Sequence, residues 1–232
     1  MMRRLMLTVA LMVACLATAD AATYYVDGRA EDASDENAGT EGEPWETMAR
    51  AGAAEELKPG DTVLVADGVY RESVHITVSG EEGNPITFAA APGARVVIKG
   101  SEIVRGDWER VSDLPDMEEP FPNAFTGLWR VTLGDEYFTD PDFEHSYTDV
   151  AKRWVSQVYL QDRMRLQQIG PDRIYTSEEY VRLVTVGRGI EDMIDGSFYF
   201  DAAEQMLYMK QGGSPSWYTI EMGVRGWVLK AV

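Results

Sequence analysis

An acidic loop near the N-terminus is the first group of side chains that could do chemistry. It runs from Glu31 to Glu43 and contains Asp32, Asp35 and Glu36 among small polar residues. Clustered carboxylate oxygens are ligands that Ca²⁺ prefers, but this spacing departs from the D-x-[DN]-x-[DN]-G pattern of a calcium loop. The sequence therefore favours a solvated acidic loop over a Ca²⁺ site, and we predict no metal site in this chain.

The two histidines are His75 and His145, and neither has a catalytic partner in the sequence pattern. His75 lies between Val74 and Ile76 in an alternating run, which predicts a solvent-facing side chain on a strand. General acid–base or nucleophilic catalysis needs a partner within hydrogen-bond distance. His145 lies in an acidic loop, for which we favour a solvated loop over metal binding.

Known catalytic motifs are missing from the sequence. It contains no P-loop, nucleophile elbow, H-E-x-x-H or dinucleotide-binding glycine pattern. A glycosidase needs two carboxylates at a defined separation, and no pair stands out among the 39 acidic residues. The sequence therefore assigns no catalytic residue and no cofactor.

The charge of the chain excludes one class of partner. Its net charge is −18 at pH 7, and no basic stripe offsets the acidic excess. A sequence-independent nucleic-acid binder needs a cationic surface against phosphate, so we predict no nucleic-acid partner. An apolar fraction of 45% predicts a packed chain rather than a disordered one. The sequence gives no indication of oligomeric state.

Residues 1–21 have the form of a secretory signal peptide. Arg3 and Arg4 precede an apolar core from Leu5 to Leu16, and a small-residue cleavage site ends at Ala21. The apolar run is short for a membrane span. We therefore predict an exported protein, extracellular or periplasmic, with no membrane span.

The single cysteine offers an alternative to simple secretion. Cys15 lies in a degenerate lipoprotein box, and lipidation there would make an outer-membrane lipoprotein. Cleavage after Ala21 would instead remove it and leave residues 22–232 without a disulfide, so that the core must supply the stability.

Several short strands are predicted between residues 58 and 100. Pro59-Gly60 is typical of a tight turn, and Thr62–Ala66 follows as an alternating strand. Further apolar runs lie at Val74–Val78, Ile86–Phe88 and Val96–Ile98. These runs are the elements that would have to position any functional group.

Apolar residues in these runs recur at a nearly fixed period. Four pairs are 22 or 23 residues apart, namely Val63 with Ile86, Val65 with Phe88, Val74 with Val96, and Ile76 with Ile98. A period of 20 to 50 residues is typical of a stacked solenoid. An antiparallel meander remains the alternative, because its strands also come every 8–12 residues.

A helix is predicted from Pro44 to Leu57. Pro44 suits the first turn, Trp45 begins an apolar stripe, and Pro59-Gly60 ends the helix.

The N-terminal part of the chain resembles a known family. The motifs are Tyr24-Tyr25-Val26-Asp27, Pro44-Trp45, Lys58–Val63, Gly68-Val69-Tyr70 and Asn84–Thr87. They are similar to the N-terminal segment of secreted right-handed parallel β-helix proteins of the pectate-lyase-like superfamily, which include glycoside hydrolases and polysaccharide lyases. The resemblance covers about residues 23–108 and, more weakly, 155–230. It implies that the helix plugs the end of the solenoid, with Trp45 as a plug residue.

The spacing of 22 or 23 residues between apolar strands does not continue after Gly100, which indicates an insertion. The later strands are predicted at Leu128–Leu133, Val155–Gln161, Met164–Gln168, Phe198–Asp201 and Met206–Lys210. Hairpin turns are expected at Asp162-Arg163 and Ala202–Gln205, and a short helix at Ser177–Val184. Similar antiparallel insertions occur in some β-helix glycoside hydrolases.

The predicted fold is all-β, the start of a right-handed parallel β-helix with an N-terminal capping helix and an antiparallel β insert. The predicted segments are 1–21 as signal peptide, 22–102 as capping helix and first coils, 103–215 as the inserted sheet or sandwich, and 216–232 as the return to the β-helix.

The resemblance implies an exported carbohydrate-active protein, with a polysaccharide as the substrate. We expect this chain to be an N-terminal fragment, inactive alone, with the catalytic residues beyond Val232; the alternative is a compact domain whose last strand closes a sheet. The full-length form would be a polysaccharide-degrading glycoside hydrolase, because the negative charge favours a neutral glycan. The alternatives are a polysaccharide lyase, with Ca²⁺ as a cofactor of the full-length form, or a non-catalytic surface or adhesion protein.

Overall fold

The computed structural model describes residues 21–112, 126–138, 155, 157–170 and 186–231. Over these ranges the chain is almost entirely β-structure, with sixteen strands, one α-helix of five residues and three short 3-10 turns. The predicted all-β fold class is confirmed. No helix in the described ranges is long and apolar enough to cross a membrane.

Some sequence predictions fall outside the described residues. They are the leader with Cys15, the loop that contains His145 and the helix at Ser177–Val184.

The strands are β1 (Thr23–Val26), β2 (Thr62–Val65), β3 (Gly68–Tyr70), β4 (Val74–Ile76), β5 (Thr87–Ala90), β6 (Val96–Ile98), β7 (Ser101–Ile103), β8 (Glu109–Arg110), β9 (Thr126–Thr132), β10 (Val158–Leu160), β11 (Met164–Arg165), β12 (Gln167–Gln168), β13 (Ser197–Asp201), β14 (Met206–Gly212), β15 (Ile220–Gly223) and β16 (Leu229–Ala231). The helix α1 spans Met48–Gly52, and 3-10 turns lie at Asp135–Tyr137, Ile190–Asp192 and Pro215–Trp217.

Three small parallel sheets form what we call the coil region, which comprises α1, β1–β6 and β16. One sheet has the order β1-β2-β5, a second pairs β3 with β6, and a third pairs β4 with β16. Parallel neighbours need a crossover connection, so each pair joins successive passes of the chain rather than the two arms of a hairpin. This is the arrangement of stacked β-helix coils, and the antiparallel meander is excluded.

The register in the first sheet differs from the predicted one. Val63 pairs with Phe88 instead of Ile86, and Val65 pairs with Ala90. Side chains two residues apart on a strand share a face, so a shift of two residues leaves the apolar alternation unchanged. The pattern of apolar residues therefore cannot distinguish the two registers.

The predicted pairing of Val74 with Val96 and of Ile76 with Ile98 is wrong. Strand β6, which contains Val96 and Ile98, pairs with β3, whereas β4 pairs with β16 at the end of the chain. The sequence analysis predicts no strand over Gly68–Tyr70, the residues that form β3. Each coil consequently contains one strand more than predicted, and the partner of β4 arrives only after the insert.

The helix is much shorter than the predicted Pro44–Leu57. Residues before α1 are extended, because the backbone N–H of Trp45 donates to the Tyr25 carbonyl at 3.0 Å and the Trp45 carbonyl accepts from Asp27 at 2.9 Å. Helix α1 then begins after Thr47, whose hydroxyl accepts a hydrogen bond from Arg50 at 3.0 Å. Backbone pairing with β1 therefore overrides the helical pattern of the first residues.

A single apolar core fills the coil region beneath α1. Its buried members are Val26, Trp45, Met48, Ala51, Ala54, Leu57, Val63, Val65, Tyr70 and Val74. They come from α1 and its flanks and from the first four strands, so the helix and Trp45 cover one end of the coils.

Gly52 marks a close approach between α1 and β4, and we predict that Gly52→Ala destabilises the fold. A β-carbon at this position would overlap the backbone carbonyl of His75, and the Gly52 carbonyl itself accepts a hydrogen bond from the Thr77 N–H at 2.9 Å. Because a backbone cannot yield as a flexible side chain does, we expect a loss of about 2 kcal/mol, despite alanine's higher helix propensity. Urea unfolding measures this loss.

Gly42→Ala is the matched control, because Gly42 is exposed and an added β-carbon there meets no atom within 4 Å. Equal stability of both variants would contradict the close packing of α1 on β4.

The remaining strands, β7–β15, form what we call the insert region. Its two sheets have the orders β11-β10-β15-β7 and β12-β13-β14-β9-β8, and all pairings are antiparallel except β12 with β13. The two sheets share one core, to which β9, β10, β13, β14 and β15 contribute buried side chains. The insert is thus a small β-sandwich.

Both predicted hairpins are confirmed in the insert region. Strands β10 and β11 form one, and β13 and β14 form the other. The first turn lies one residue earlier than predicted, because Gln161 and Asp162 have positive φ and the Arg163 N–H donates to the Leu160 carbonyl at 3.1 Å. Asparagine and aspartate tolerate this left-handed conformation best, so Asp162 suits its position in the turn.

Candidate functional site

The coil and insert regions meet at a group of polar side chains that we call the junction cluster (Arg71, Lys99, Ser101, Asp162 and Glu221). Glu221 lies on β15 and is 4% exposed. Its carboxylate accepts hydrogen bonds from Arg71 at 3.0 Å and from Ser101 at 2.8 Å. Lys99 also donates to it at 3.0 Å and forms an ion pair with Asp162 at 2.8 Å. The cluster ties four segments of the chain together.

The environment of Glu221 makes it a poor proton carrier near neutral pH. Burial alone would raise its pKa, but hydrogen bonds from Arg71, Ser101 and Lys99 outweigh burial and lower the pKa to about 2. A general acid or base works best when its pKa lies near the working pH. The junction cluster is therefore suited to holding the two regions together rather than to acid–base catalysis.

We predict that the stabilising effect of the junction cluster fades in acid. The pKa of Glu221 falls from 4.5 to about 2 on folding, so its contribution is complete above pH 4.5 and is lost as the pH falls towards 2. The stability difference between the wild type and Glu221→Gln should shrink by about 2 kcal/mol between pH 7 and pH 3. Urea unfolding at both pH values measures it.

The wild type and Glu221→Gln share all other carboxylates, so the contributions of those groups to the pH dependence of stability cancel in the difference between the two proteins. Glu72 acts in the opposite sense, because burial raises its pKa and its protonation in acid is favourable. A stability difference that is unchanged at pH 3 would contradict the pKa assigned to Glu221.

The acidic loop of the sequence analysis serves to position α1. Both carboxylate oxygens of Asp35 are engaged, since one accepts from the Thr47 backbone N–H at 2.9 Å and the other from its hydroxyl at 2.8 Å. Glu36 accepts a hydrogen bond from Ser34. Over the described ranges of the chain, no group of three or more histidine, cysteine, aspartate and glutamate side chains could hold a metal ion.

His75 is not the solvent-facing residue that alternation predicted. It is half-buried, and its ring stacks on Trp227 with the ring centroids 4.0 Å apart. The reason is that β16 pairs with β4 and brings Trp227, which precedes β16 in the sequence, against His75. His75 therefore packs between successive coils.

A shallow polar cleft of about 240 Å³ lies at the edge of the insert region. Asp107 and Glu109 line it, two residues apart and both exposed, with Arg130 opposite. The Arg130 guanidinium forms an ion pair with Glu109 at 3.3 Å. Such a cleft can bind hydroxyl groups through its carboxylates, but its residues do not define a reaction.

The coil region ends in three edge strands, which we call the open coil edge (β5, β6 and β16). Each has one strand partner within the described structure. Their apolar side chains are only half-buried or exposed, including Phe88, Val96 and Leu229. Edge strands with free backbone groups and apolar side chains are templates for a further strand.

The junction cluster is the group that the sequence analysis missed. A usable signal was present, because Glu221 stands between the apolar residues Ile220 and Met222, all three of which are buried. A carboxylate inside such a strand predicts a buried partner. Its partners Arg71 and Lys99 are more than 120 residues away in the sequence, so their identity could not be read from spacing.

Together these features define a protein that begins as a parallel β-coil, carries a β-sandwich insert and locks the two together through buried charges. A family model described as Chondroitinase B matches residues 47–127, from the start of α1 into β9. The uncharacterized protein YwoF from Bacillus subtilis (strain 168) is 35% identical over 88 residues, which is 36% of this chain and 18% of YwoF.

Two solved structures are similar over nearly the whole chain. One is described as the complex of XylC with xylose, with 26% identity, a TM-score of 0.57, and coverage of 90% of this chain and 33% of that one. The other is described as a glycoside hydrolase, with 12% identity, a TM-score of 0.52, and coverage of 91% and 48%. At 12% identity this second likeness concerns the fold alone. The chain thus spans about a fifth of YwoF and a third to a half of these structures.

Proposed function

We propose that this chain supplies the N-terminal coils and insert of an exported carbohydrate-active protein, whose full-length form is a polysaccharide-degrading glycoside hydrolase. The observation that carries the proposal is the similarity to XylC, because it extends over both the coil region and the insert region. The Chondroitinase B model matches residues 47–127, which hold little of the insert.

The charge of the chain supports a neutral glycan over a polyuronate. A net charge of −18 repels an acidic polymer unless cations bridge the two. Hydrolysis of a neutral polysaccharide fits this surface better than elimination from a uronate.

The open coil edge supports a place for this chain within a longer stack. Its three strands, β5, β6 and β16, each offer a free edge at the same end of the coil region. Solenoid coils bury their apolar faces against their neighbours. We propose that further coils cover this edge in the full-length protein and carry the catalytic groups.

Product analysis of the full-length gene product tests the proposal. The protein is incubated with a panel of neutral and acidic polysaccharides, and new reducing ends and unsaturated uronates are measured separately. Reducing ends without unsaturated sugars, from a neutral glycan, are the expected result. No product from any polysaccharide would contradict an enzymatic function and favour the adhesion alternative, since a fold does not fix a function.

A polysaccharide lyase is the second candidate, and the Chondroitinase B match favours it. Elimination needs a base near the proton next to the uronate carboxylate, often with Ca²⁺ to neutralise that carboxylate. Unsaturated products that disappear on chelation would identify this reaction.

We predict no turnover by residues 22–232 alone. The described residues assemble no metal-binding group, and the buried carboxylate of the junction cluster has a pKa of about 2, far from the range useful for proton transfer. The same panel, assayed with equal amounts of the purified chain and the full-length protein, checks this. Product formation by residues 22–232 would place the catalytic groups within them.

The export of the protein and the identity of its mature N-terminus are tested by a separate measurement. We propose cleavage after Ala21, as the leader pattern indicates. Mass spectrometry of the protein recovered from the cell envelope and the medium distinguishes a mature N-terminus at Ala22 from a lipidated Cys15.

A further inference from the structure

Trp217 has the greatest exposed fraction among the large apolar side chains that the structure describes as exposed. It is 72% exposed, in the 3-10 turn between β14 and β15. A single exposed apolar residue is ordinary on a protein surface. Here, however, the turn beneath it is fixed, because the Trp217 N–H donates to the Ser214 carbonyl at 3.1 Å and Pro215 is buried.

The indole ring rests on a glycine that leaves room for it. Gly213 has a φ of +79°, and a β-carbon added there would lie 2.8 Å and 3.0 Å from two carbons of the six-membered ring of Trp217. The ring is therefore supported by backbone along one edge, while most of its surface faces solvent. A rigid aromatic surface of this kind loses little conformational entropy on binding.

The Tyr218 hydroxyl also lies near Gly213. The phenol oxygen of Tyr218 is 3.8 Å from the same β-carbon position at Gly213, and its ring packs against the core of the insert region. An apolar ring surface and a hydroxyl that both lie near one glycine match a pyranose, which has an apolar face of C–H groups and a rim of hydroxyls. Binding sites commonly combine aromatic surfaces with a few placed polar groups in this way.

We propose that Trp217 and the Tyr218 hydroxyl form a carbohydrate-binding subsite on the insert region, with a neutral glycan as its ligand. The inference rests on the proposed function for its ligand class. It assigns the insert a direct contact with the glycan, separate from any catalytic group. The acidic surface of the chain disfavours a polyuronate at this subsite.

Titration of the chain with xylohexaose, followed by heteronuclear NMR of the tryptophan indole N–H signals, tests the subsite. The signal of Trp217 is identified by its loss in Trp217→Phe. We expect xylohexaose to shift this signal, and we expect binding to weaken at least about tenfold in Trp217→Ala. Trp217→Phe should bind a few-fold more weakly than the wild type, and Tyr218→Phe likewise.

Ile194→Ala is the matched control, since Ile194 is another exposed apolar residue of the insert, at 55% exposure. It should bind xylohexaose as the wild type does. Unchanged binding in Trp217→Ala, or no shift of the Trp217 signal at millimolar xylohexaose, would overturn the subsite. A hexagalacturonate that binds through Trp217 as tightly as xylohexaose would overturn its preference for a neutral glycan.

This readout is binding and requires no turnover. Binding through Trp217 without products from the full-length protein would leave the subsite standing and reject the enzyme. Products from the full-length protein together with unchanged xylohexaose binding in Trp217→Ala would support the enzyme and reject the subsite.

Discussion

Replacing Glu221 by glutamine is expected to destabilise the chain by about 3 kcal/mol. The amide keeps the shape of the carboxylate but removes its charge, which leaves Arg71 and Lys99 close together without their shared partner. Breaking a buried ion pair by removing one member is costly because the other charge stays desolvated. Urea unfolding at pH 7 measures the loss.

The ion pair between Arg130 and Glu109 provides the control for Glu221→Gln. Its carboxylate is 67% exposed, and exposed pairs contribute about 0–1 kcal/mol. Glu109→Gln should therefore leave the free energy of unfolding nearly unchanged. If both variants unfolded at the same urea concentration, the junction cluster would have no special role in stability.

The second large effect is expected at Trp45, where substitution by alanine should cost about 3–5 kcal/mol. Trp45 is fully buried, stacks on Tyr24 with ring centroids 5.1 Å apart, and donates its indole N–H to the Asn37 carbonyl at 2.9 Å. Its removal would open a cavity beside α1 and leave the partly buried Asn37 carbonyl without its donor. Thermal and urea unfolding measure the loss.

Trp217→Ala removes the same side chain from an exposed position and is the natural comparison for Trp45→Ala. We expect its free energy of unfolding to stay within about 0.5 kcal/mol of the wild type. A small effect at Trp45 would mean that this residue does not cap the coil core, contrary to its full burial.

The sequence predicted the architecture of the coil region better than its register. Alternating valines and isoleucines identify β2, β4 and β6 because alternation reflects which face of a strand is buried. Alternation carries no information on which strand is the neighbour. The partner of Val63 was therefore misplaced by two residues, and the partner of Val74 lies near the end of the chain.

The helix shows how tertiary contacts override a local pattern. Pro44 and Trp45 fit the first turn of a helix, yet Trp45 forms an isolated parallel bridge with Val26, the last residue of β1. The backbone pairing and the stacking on Tyr24 exist only once the coil has closed. Helix propensity is a weak preference that such contacts easily exceed.

The candidate site could not be predicted from the spacing of residues in the sequence. The junction cluster joins residues that are more than 120 positions apart in the sequence, and the Trp217 subsite depends on the positive φ of Gly213. A glycine four residues before a tryptophan suggests neither, because its conformation and the exposure of the ring appear only in the folded chain.

The pairing of β4 with β16 has a consequence for how the protein is made. The hydroxyl of Ser73, next to β4, donates to the carbonyl of Trp227, 154 residues further along the chain. On the ribosome, β4 must wait for the whole sandwich to be translated before its neighbour emerges. Contacts this distant slow folding, and an edge left unmatched for so long is prone to aggregation. We therefore expect the nascent polypeptide to depend on chaperones during that interval.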